Sequence, residues 1–293
     1  MHTPHRGALF EPERPQSRRL KARVVDICRR ESLRPQHDLG QHFLVDERVL
    51  ADIVEAASLE PRLPILEIGP GIGVLTEALA RFGVDLTAVE LDTACARYLA
   101  RNFHSKPHVH IIQGDALGWW ERSRATYTEG EFDIAANLPF NIASHVLNIF
   151  LSSTPRPRAM TVLLQKEVAQ RTAASPGSTS MLSLMAQSYA DVHIVRTVKR
   201  SAFWPMPKVD AALVTFRDIH WRHAGIDEKV FFKVARAGFS ARRKKLRNNL
   251  AGFAGLLPSA VEALLLSIGI SENARAQELS LEEWRVLMSK LTN

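Results

Sequence analysis

Asn137-Leu138-Pro139-Phe140 is a short run whose residue types can act on an amine. The exocyclic amine of a nucleobase is a poor nucleophile, because its lone pair is delocalised into the ring and no side chain usefully deprotonates it near neutral pH. Geometry has to supply the catalysis. The Asn137 side-chain oxygen and the carbonyl of Leu138 or Pro139 can accept the two N–H hydrogens. That draws the nitrogen toward tetrahedral geometry and points its lone pair at an electrophilic methyl group. Phe140 can then stack on the flipped base. Taken alone, the four residues also fit an apolar turn, since Asn and Pro form turns and Leu and Phe fill cores. Their position in the chain separates the two readings.

Upstream, Ile65-Leu66-Glu67-Ile68-Gly69-Pro70-Gly71-Ile72-Gly73 reads as an apolar strand entering a glycine-rich turn and a helix. Around Gly69 and Gly71 such a turn lets backbone amides approach a ligand. A dinucleotide fingerprint would put a third glycine where this chain has Val74. Glu90 closes the next strand, where an acid can hold both ribose hydroxyls of an adenosine, a feature that suits NAD and S-adenosylmethionine alike. Asp115, after a third strand, can accept the adenine amino hydrogens or simply cap a loop. In series with Gly69, Glu90 and Asn137 the ligand role is favoured, because four such strand ends converge on one sheet edge.

The elements that position these residues follow from periodicity. Strands are expected at Ile65–Ile68, Asp85–Glu90, Val109–Gln113, Phe132–Ala136, Ala159–Leu164, Val192–Val198 and Ala211–Phe216. Helices are expected near 47–58, 74–82, 93–103, 142–151, 165–173 and 180–189. This alternation is the pattern of a mainly parallel sheet covered on both faces, an α/β fold of Rossmann-like type. Residues 1–20 read as a mobile basic tail and 21–31 as a short helix, with 21–218 forming the catalytic domain. Residues 219–293 read as a small all-helical domain, with helices at Lys229–Phe239, Arg242–Leu250, Ser259–Ile268 and Leu281–Leu291 and a stop at Gly252.

With 293 residues and 46% hydrophobic content the chain can bury a sizeable core. Its net charge of +7 favours a polyanionic partner. Basic residues concentrate in Arg242-Arg243-Lys244-Lys245-Leu246-Arg247, followed by Asn248 and Asn249, so Arg242, Arg243, Lys244, Lys245 and Arg247 are the candidate contacts to such a polyanion. A solvated helix face is the alternative for that run. No apolar stretch reaches the roughly twenty residues that cross a bilayer, so no membrane association is expected. Cys28 and Cys95 lack metal spacing and read as buried spectators in a reducing, cytoplasmic compartment, with no metal. Glu11 and Glu13 argue against a mitochondrial leader.

The chain resembles the small-subunit ribosomal RNA adenine dimethyltransferases from about Ala22 to its end. The matching segments begin with Gly40–Asp46, Glu67–Gly73, Glu90–Asp92, Gly114–Ala116 and Asn137–Asn141. They continue with Gln165–Arg171, Ala202–Asp210 and Phe239–Leu250. The resemblance implies S-adenosylmethionine as cofactor, held by His42, Leu44, Gly69, Gly71, Glu90, Asp115 and Asn137. It also implies dimethylation of N6 on two adjacent adenines near the 3′ end of small-subunit RNA, with the immature 30S subunit as partner and a monomeric enzyme. Phe203 would close the face of the adenine opposite Phe140. The chain departs from the family pattern at His37-Asp38, at the short loop 176–180, at Met206 within a proline run, and at Phe140 in place of Tyr. An Erm-type large-subunit RNA methyltransferase shares the fold and most cofactor motifs. An RNA-binding assembly factor with secondary methylation would share the basic C-terminal part, and a DNA adenine methyltransferase is a third alternative.

Overall fold

The computed structural model describes residues 17–36, 38–251 and 253–292. Residues 1–16 of the expected tail, His37 and the expected stop at Gly252 lie outside them. The first part of the chain contains α1 (Ser17–Arg30), β1 (Phe43–Leu44), α2 (Glu47–Ala57), β2 (Ile65–Ile68), α3 (Val74–Ala80), β3 (Leu86–Glu90), α4 (Thr93–Phe103) and β4 (Val109–Gln113). It continues with α5 (Ala116–Ser123), β5 (Asp133–Asn137), α6 (Ala143–Ser152), β6 (Ala159–Gln165), α7 (Lys166–Thr172), α8 (Met181–Tyr189), β7 (Asp191–Val198), β8 (Phe203–Trp204) and β9 (Ala211–Arg217). Four helices follow: α9 (Glu228–Gly238), α10 (Leu246–Leu250), α11 (Pro258–Ser267) and α12 (Leu281–Thr292).

Seven strands form one sheet in the order β4-β3-β2-β5-β6-β9-β7. The pairs from β4 to β6 are parallel, and β9 runs antiparallel to both β6 and β7. This is the Rossmann-like α/β architecture expected from the strand–helix alternation. Successive strand residues face opposite sides, as the pleat requires. In β2, Ile65 packs with Ile53 of α2, Leu79 of α3 and Leu99 of α4, whereas Leu66 and Ile68 pack with Trp120 of α5 and Val146 and Phe150 of α6. Both faces are therefore covered, which is why the central strands read as unbroken apolar runs.

Several local expectations change. The helix expected over 21–31 begins at Ser17, because Leu20, Val24, Ile27 and Cys28 already form its buried stripe. Periodicity does not announce helix α5; Gly118 weakens its helical signal, while Asp115 caps its first turn. The two-residue strands β1 and β8 pair with each other outside the main sheet, too short for any alternation to reveal.

The helix expected over Arg242–Leu250 forms only from Leu246. Arg242–Lys245 instead make a turn: the Lys244 amide donates to Ala241 (2.9 Å) and the Leu246 amide to Ala274 (2.8 Å). The Asn249 side chain, expected on the positive surface, clasps that turn by donating to the carbonyls of Gly238 (2.6 Å) and Ala241 (3.0 Å). Four consecutive like charges have no acidic neighbours to support a helix there.

The helices after β9 pack on the rest of the chain through α8. Leu184 of α8 shares a buried cluster with Phe231, Leu246, Val261 and Trp284. Arg156, 8% exposed, reinforces the joint: it reaches Glu129 (3.3 Å) and Glu228 of α9 (3.6 Å), and lies 5.3 Å from the Tyr189 ring centroid. The short 176–180 loop is tied to the same part, since the Gly177 amide donates to the Gln277 carbonyl (2.8 Å).

Candidate active site

A cavity opens at the carboxyl ends of β2, β3, β4 and β5, where the strand order reverses between β2 and β5. Such reversal points leave a crevice because the loops of adjacent strands turn away from each other. Residues 39–44, 67–72, 89–91, 114–116 and 137–142 line it.

The glycine turn is shaped by what crosses it. Gly69 has φ +66°, and a Cβ there would lie 3.0 Å from Cγ of Pro139. Gly71 has φ +61°, and a Cβ there would lie 2.8 Å from the Phe43 ring. The loop after β2 therefore sits against the Asn137–Phe140 loop on one side and against β1 on the other. Any side chain at either glycine would push them apart.

Three carboxylates are buried beside this turn. Glu90, 4% exposed, accepts the Gly71 amide at Oε2 (2.7 Å) and the Asp92 amide at Oε1 (2.8 Å). Burial nevertheless raises its pKa, because desolvation of the anion outweighs those bonds. Asp92, 6% exposed, caps α4 through the amides of Ala94 and Cys95. Glu67 is 1% exposed and its Oε2 has no hydrogen-bond partner among the described residues. Burial, helped by the nearby Glu90 charge and only partly offset by Thr76, pushes its pKa up to about 8. Glu67 carries no role in the sequence reading. Its one signal is an acid at the end of a buried strand, where apolar residues are the rule. Near neutral pH Glu67 therefore keeps its proton and adds a buried polar group rather than a charge to the cavity lining, beside Glu90.

Asp115 caps α5, its Oδ2 accepting the Gly118 amide (2.7 Å), and it also lines the cavity.

Gln36 and residues 38–42 form a strap beside the cavity, which Leu39–His42 line, and it is tied down from several elements. Gln36 Nε2 donates to Asp92 (2.5 Å), and Asn141 Nδ2 donates to the Asp38 carbonyl (3.2 Å). Asn137 Nδ2 donates to the His42 carbonyl (2.9 Å). His42 Nδ1 donates to the Pro205 carbonyl (2.7 Å), an acceptor that fixes the tautomer. Gln36 and Asn141 carry no distinguishing signal in the sequence, because polar loop residues are common.

The Asn137–Phe140 loop follows β5 directly. Asn137, Leu138, Pro139 and Phe140 all line the cavity, as do His42, Leu44, Gly69, Gly71 and Glu90. The Pro139 carbonyl already accepts the Ile142 amide (3.1 Å), which leaves the Leu138 carbonyl as the open acceptor of the two. The half-buried Phe140 ring lies 5.5 Å from His42 and 6.4 Å, edge-on, from Phe203.

Phe203 departs from expectation. It is 2% exposed and is absent from the cavity lining. Strand β8 pairs it with Leu44 of β1 and packs it in the apolar cluster behind Phe140. It supports Phe140 rather than forming the opposite wall. In the proline-containing segment that follows, Met206 (58%) and Val209 (46%) are the exposed apolar side chains.

The C-terminal basic run divides. Arg242, Arg243 and Lys244 are exposed at the turn. Lys245 hydrogen-bonds Asn273 and Arg247 pairs with Glu262, so these two serve the internal structure of the helical part. Among the described residues no group of three or more His, Cys, Asp or Glu is arranged to hold a metal, and no helix is long and apolar enough to cross a membrane.

A family model described as ribosomal RNA adenine dimethylase matches residues 33–293. The chain is 39% identical over 272 residues to the Ribosomal RNA small subunit methyltransferase A of Dehalococcoides mccartyi, covering 92% of each. It is 40% identical over 265 residues to the protein of that name from Geobacter metallireducens, covering 88% of this chain and 96% of the relative. Among solved structures it is similar to the 23S rRNA methyltransferase ErmE (TM-score 0.66, 26% identity), covering 86% of this chain and all of that one. A dimethyladenosine transferase from Plasmodium falciparum shares the fold (TM-score 0.71, 21% identity), with 85% and 97% covered.

Proposed function

Because the chain belongs to the ribosomal RNA adenine dimethylase family, we propose that it transfers methyl groups to N6 of two adjacent adenines in the 3′-terminal loop of small-subunit ribosomal RNA. The observation that carries this reading is the fixed amide of Asn137. Its Nδ2 is committed to the His42 carbonyl, so Oδ1 is held as an acceptor beside the glycine turn.

The pocket suits S-adenosylmethionine on two counts. The glycine turn presents bare backbone to the cavity, and the orphaned Glu67 Oε2 in the lining is a buried polar atom that a bound ligand can satisfy. When bound, that cofactor supplies a methyl group already activated by its sulfonium. Glu90 would hold the ribose hydroxyls, with Asp115 toward the adenine. His42, Leu44, Gly69 and Gly71 would complete the enclosure.

Alignment and desolvation are then the protein's contribution. Asn137 Oδ1 and the Leu138 carbonyl would accept the two N–H hydrogens of the target amine and turn its lone pair toward the methyl group. Phe140 would stack on the extruded base, braced by Phe203. After one transfer a single N–H remains, so the pocket has to let the product amine rotate before the second.

The division into a catalytic part (21–218) and an RNA-docking helical part (219–293), with Arg242, Arg243 and Lys244 meeting phosphates, belongs to the same proposal, as does action on immature 30S subunits in the cytoplasm. The test is incubation with labelled S-adenosylmethionine and, separately, immature small subunits, large subunits, naked RNA or DNA, followed by mapping of the methylated base. Dimethyladenine at adjacent positions of small-subunit RNA is the expected result. Label confined to large-subunit RNA or to DNA would overturn it.

A further inference from the structure

The N-terminal helix α1 adds a second basic face that the active site does not use. Its apolar stripe of Leu20, Val24, Ile27 and Cys28, continued by Leu33, is buried against Phe43, Val45, Ile72 and Cys95. The helix is thereby fixed on the cofactor side of the catalytic layer. Its outward side chains are predominantly cationic. Arg19, Lys21, Arg29 and Arg34 are exposed, and Arg97 of α4 is exposed on an element of the same buried cluster. None of these five has a hydrogen-bond or ion-pair partner among the described residues.

The carboxylates nearby are already engaged. Asp26 pairs with Arg30, Glu31 with Arg101, and Glu77 is shared by Arg23 and Arg81. Little acidic charge is left to neutralise the unpaired bases, so the face is electropositive. A solvated helix face normally alternates its signs; this one does not.

Position gives the face its meaning. From the end of α1 the chain runs through Leu33 into the strap whose Gln36 holds Asp92 beside Glu90, so the helix borders the β2–β3 side of the cavity. The Arg242–Lys244 turn belongs to the helices packed through α8. Helix α8 in turn contacts β7, the edge strand at the other end of the sheet from β4. The two cationic surfaces therefore sit on different parts of the molecule, one on the cofactor side and one on the C-terminal helices.

We propose that the α1–α4 face is a second phosphate-binding surface, docking a segment of the small-subunit RNA other than the one entering the pocket. The proposal rests on the ribosomal RNA reading above. Two separate anchoring points would fix the enzyme's orientation on a folded subunit, which a single basic turn cannot do.

The test replaces Arg19, Lys21, Arg29 and Arg97 with Gln and measures binding to immature small subunits across a salt series. Removing one phosphate-binding cation should lower the log–log salt slope by roughly 0.7–0.9. We expect the slope to fall by roughly 2–4 for the four together, with affinity at about 0.1 M salt down by tenfold or more. Binding of S-adenosylmethionine and the melting temperature should match the parent. A companion variant with Arg19, Arg29 and Arg97 changed to Lys should keep most of the affinity.

Parental affinity and slope in the Gln variant would overturn the proposal. A lowered melting temperature in both variants would also overturn it, because it would make the helix structural. So would anionic phospholipid vesicles that retain the parent and release the Gln variant while subunit binding is equal in both. A parent enzyme that neither binds nor methylates small subunits would instead remove the ribosomal RNA reading itself, a result distinct from the failure of α1 alone.

Discussion

The Nδ2 of Asn137 lies 2.9 Å from the main-chain oxygen of His42, a group that can only accept. The amide is therefore locked in one of its two orientations, and the oxygen proposed to meet the substrate amine is positioned by the segment that runs along the cavity. Replacing Asn137 by Ala should cost roughly 10²–10³ in kcat, the range for one preorganised hydrogen-bonding group in a reacting site. Subunit binding should stay near parental, because the basic surfaces are untouched. Asn137→Asp tests the lock separately: a carboxylate cannot donate to His42, so turnover should fall even though an oxygen is retained. Single-turnover methylation with an independent binding assay checks both variants, and near-parental turnover in either would remove the mechanism.

Much of this arrangement is legible in the residues. The glycine turn, Glu90 at the end of one strand, and Asn137–Phe140 after another are readable because strand periodicity places all their ends on one edge. The meeting of one loop with another is not. Nothing in the local pattern of Phe203 distinguishes a ring that faces a base from one that braces the ring that does. That depends on a two-residue strand pairing with Leu44 from the far end of the chain. The Arg242–Arg247 run likewise reads as one patch, and only the positions of Glu262 and Asn273 divide it.

Glu67 should make the stability of the ligand-free protein fall as pH rises. Its folded pKa is raised from 4.5 to about 8, so between those values the folded state keeps a proton that the unfolded chain releases. Stability is full below 4.5 and declines through 8, by up to roughly 5 kcal/mol for this group. Glu67→Gln should remove that part of the slope and raise the melting temperature near pH 8 relative to the parent. Thermal denaturation at about pH 5, about 6.5 and about 8 measures it; parallel curves for the two proteins would show that Glu67 is already ionised.

His223 acts in the opposite direction. It is 2% exposed and stacks on Phe231 with centroids 4.5 Å apart; its Nε2 lies 3.0 Å from Ser188 Oγ, and its Nδ1 has no partner among the described residues. Burial, with Arg285 and Arg222 nearby and Glu282 only partly compensating, lowers its pKa from 6.5 to about 4. The unfolded chain takes up a proton that the folded one refuses, so stability is lost as pH falls from 6.5 toward 4, by up to about 3 kcal/mol. His223→Gln should flatten that acid limb at some cost in stability near neutral pH. Chemical denaturation between about pH 4.5 and about 7 checks it, and an unchanged acid limb would assign the loss to other groups.

The split of the C-terminal basic run predicts two different phenotypes from neighbouring residues. Arg242, Arg243 and Lys244 are exposed on a turn whose shape is held by Asn249, so changing all three to Gln removes charge without disturbing the fold of the turn. The triple change should lower the log–log salt slope of subunit binding by roughly 2–3 and leave the melting temperature unchanged. Arg247 pairs with Glu262 across α10 and α11 and is only partly exposed. Its change to Gln should lower the melting temperature, with a stability loss of about 1 kcal/mol, while the salt slope stays parental. Titration of both variants against immature subunits, with calorimetry on the free proteins, separates the two. If Arg247→Gln flattened the salt dependence as strongly as the triple variant, the run would be a continuous RNA surface and its internal ion pair secondary.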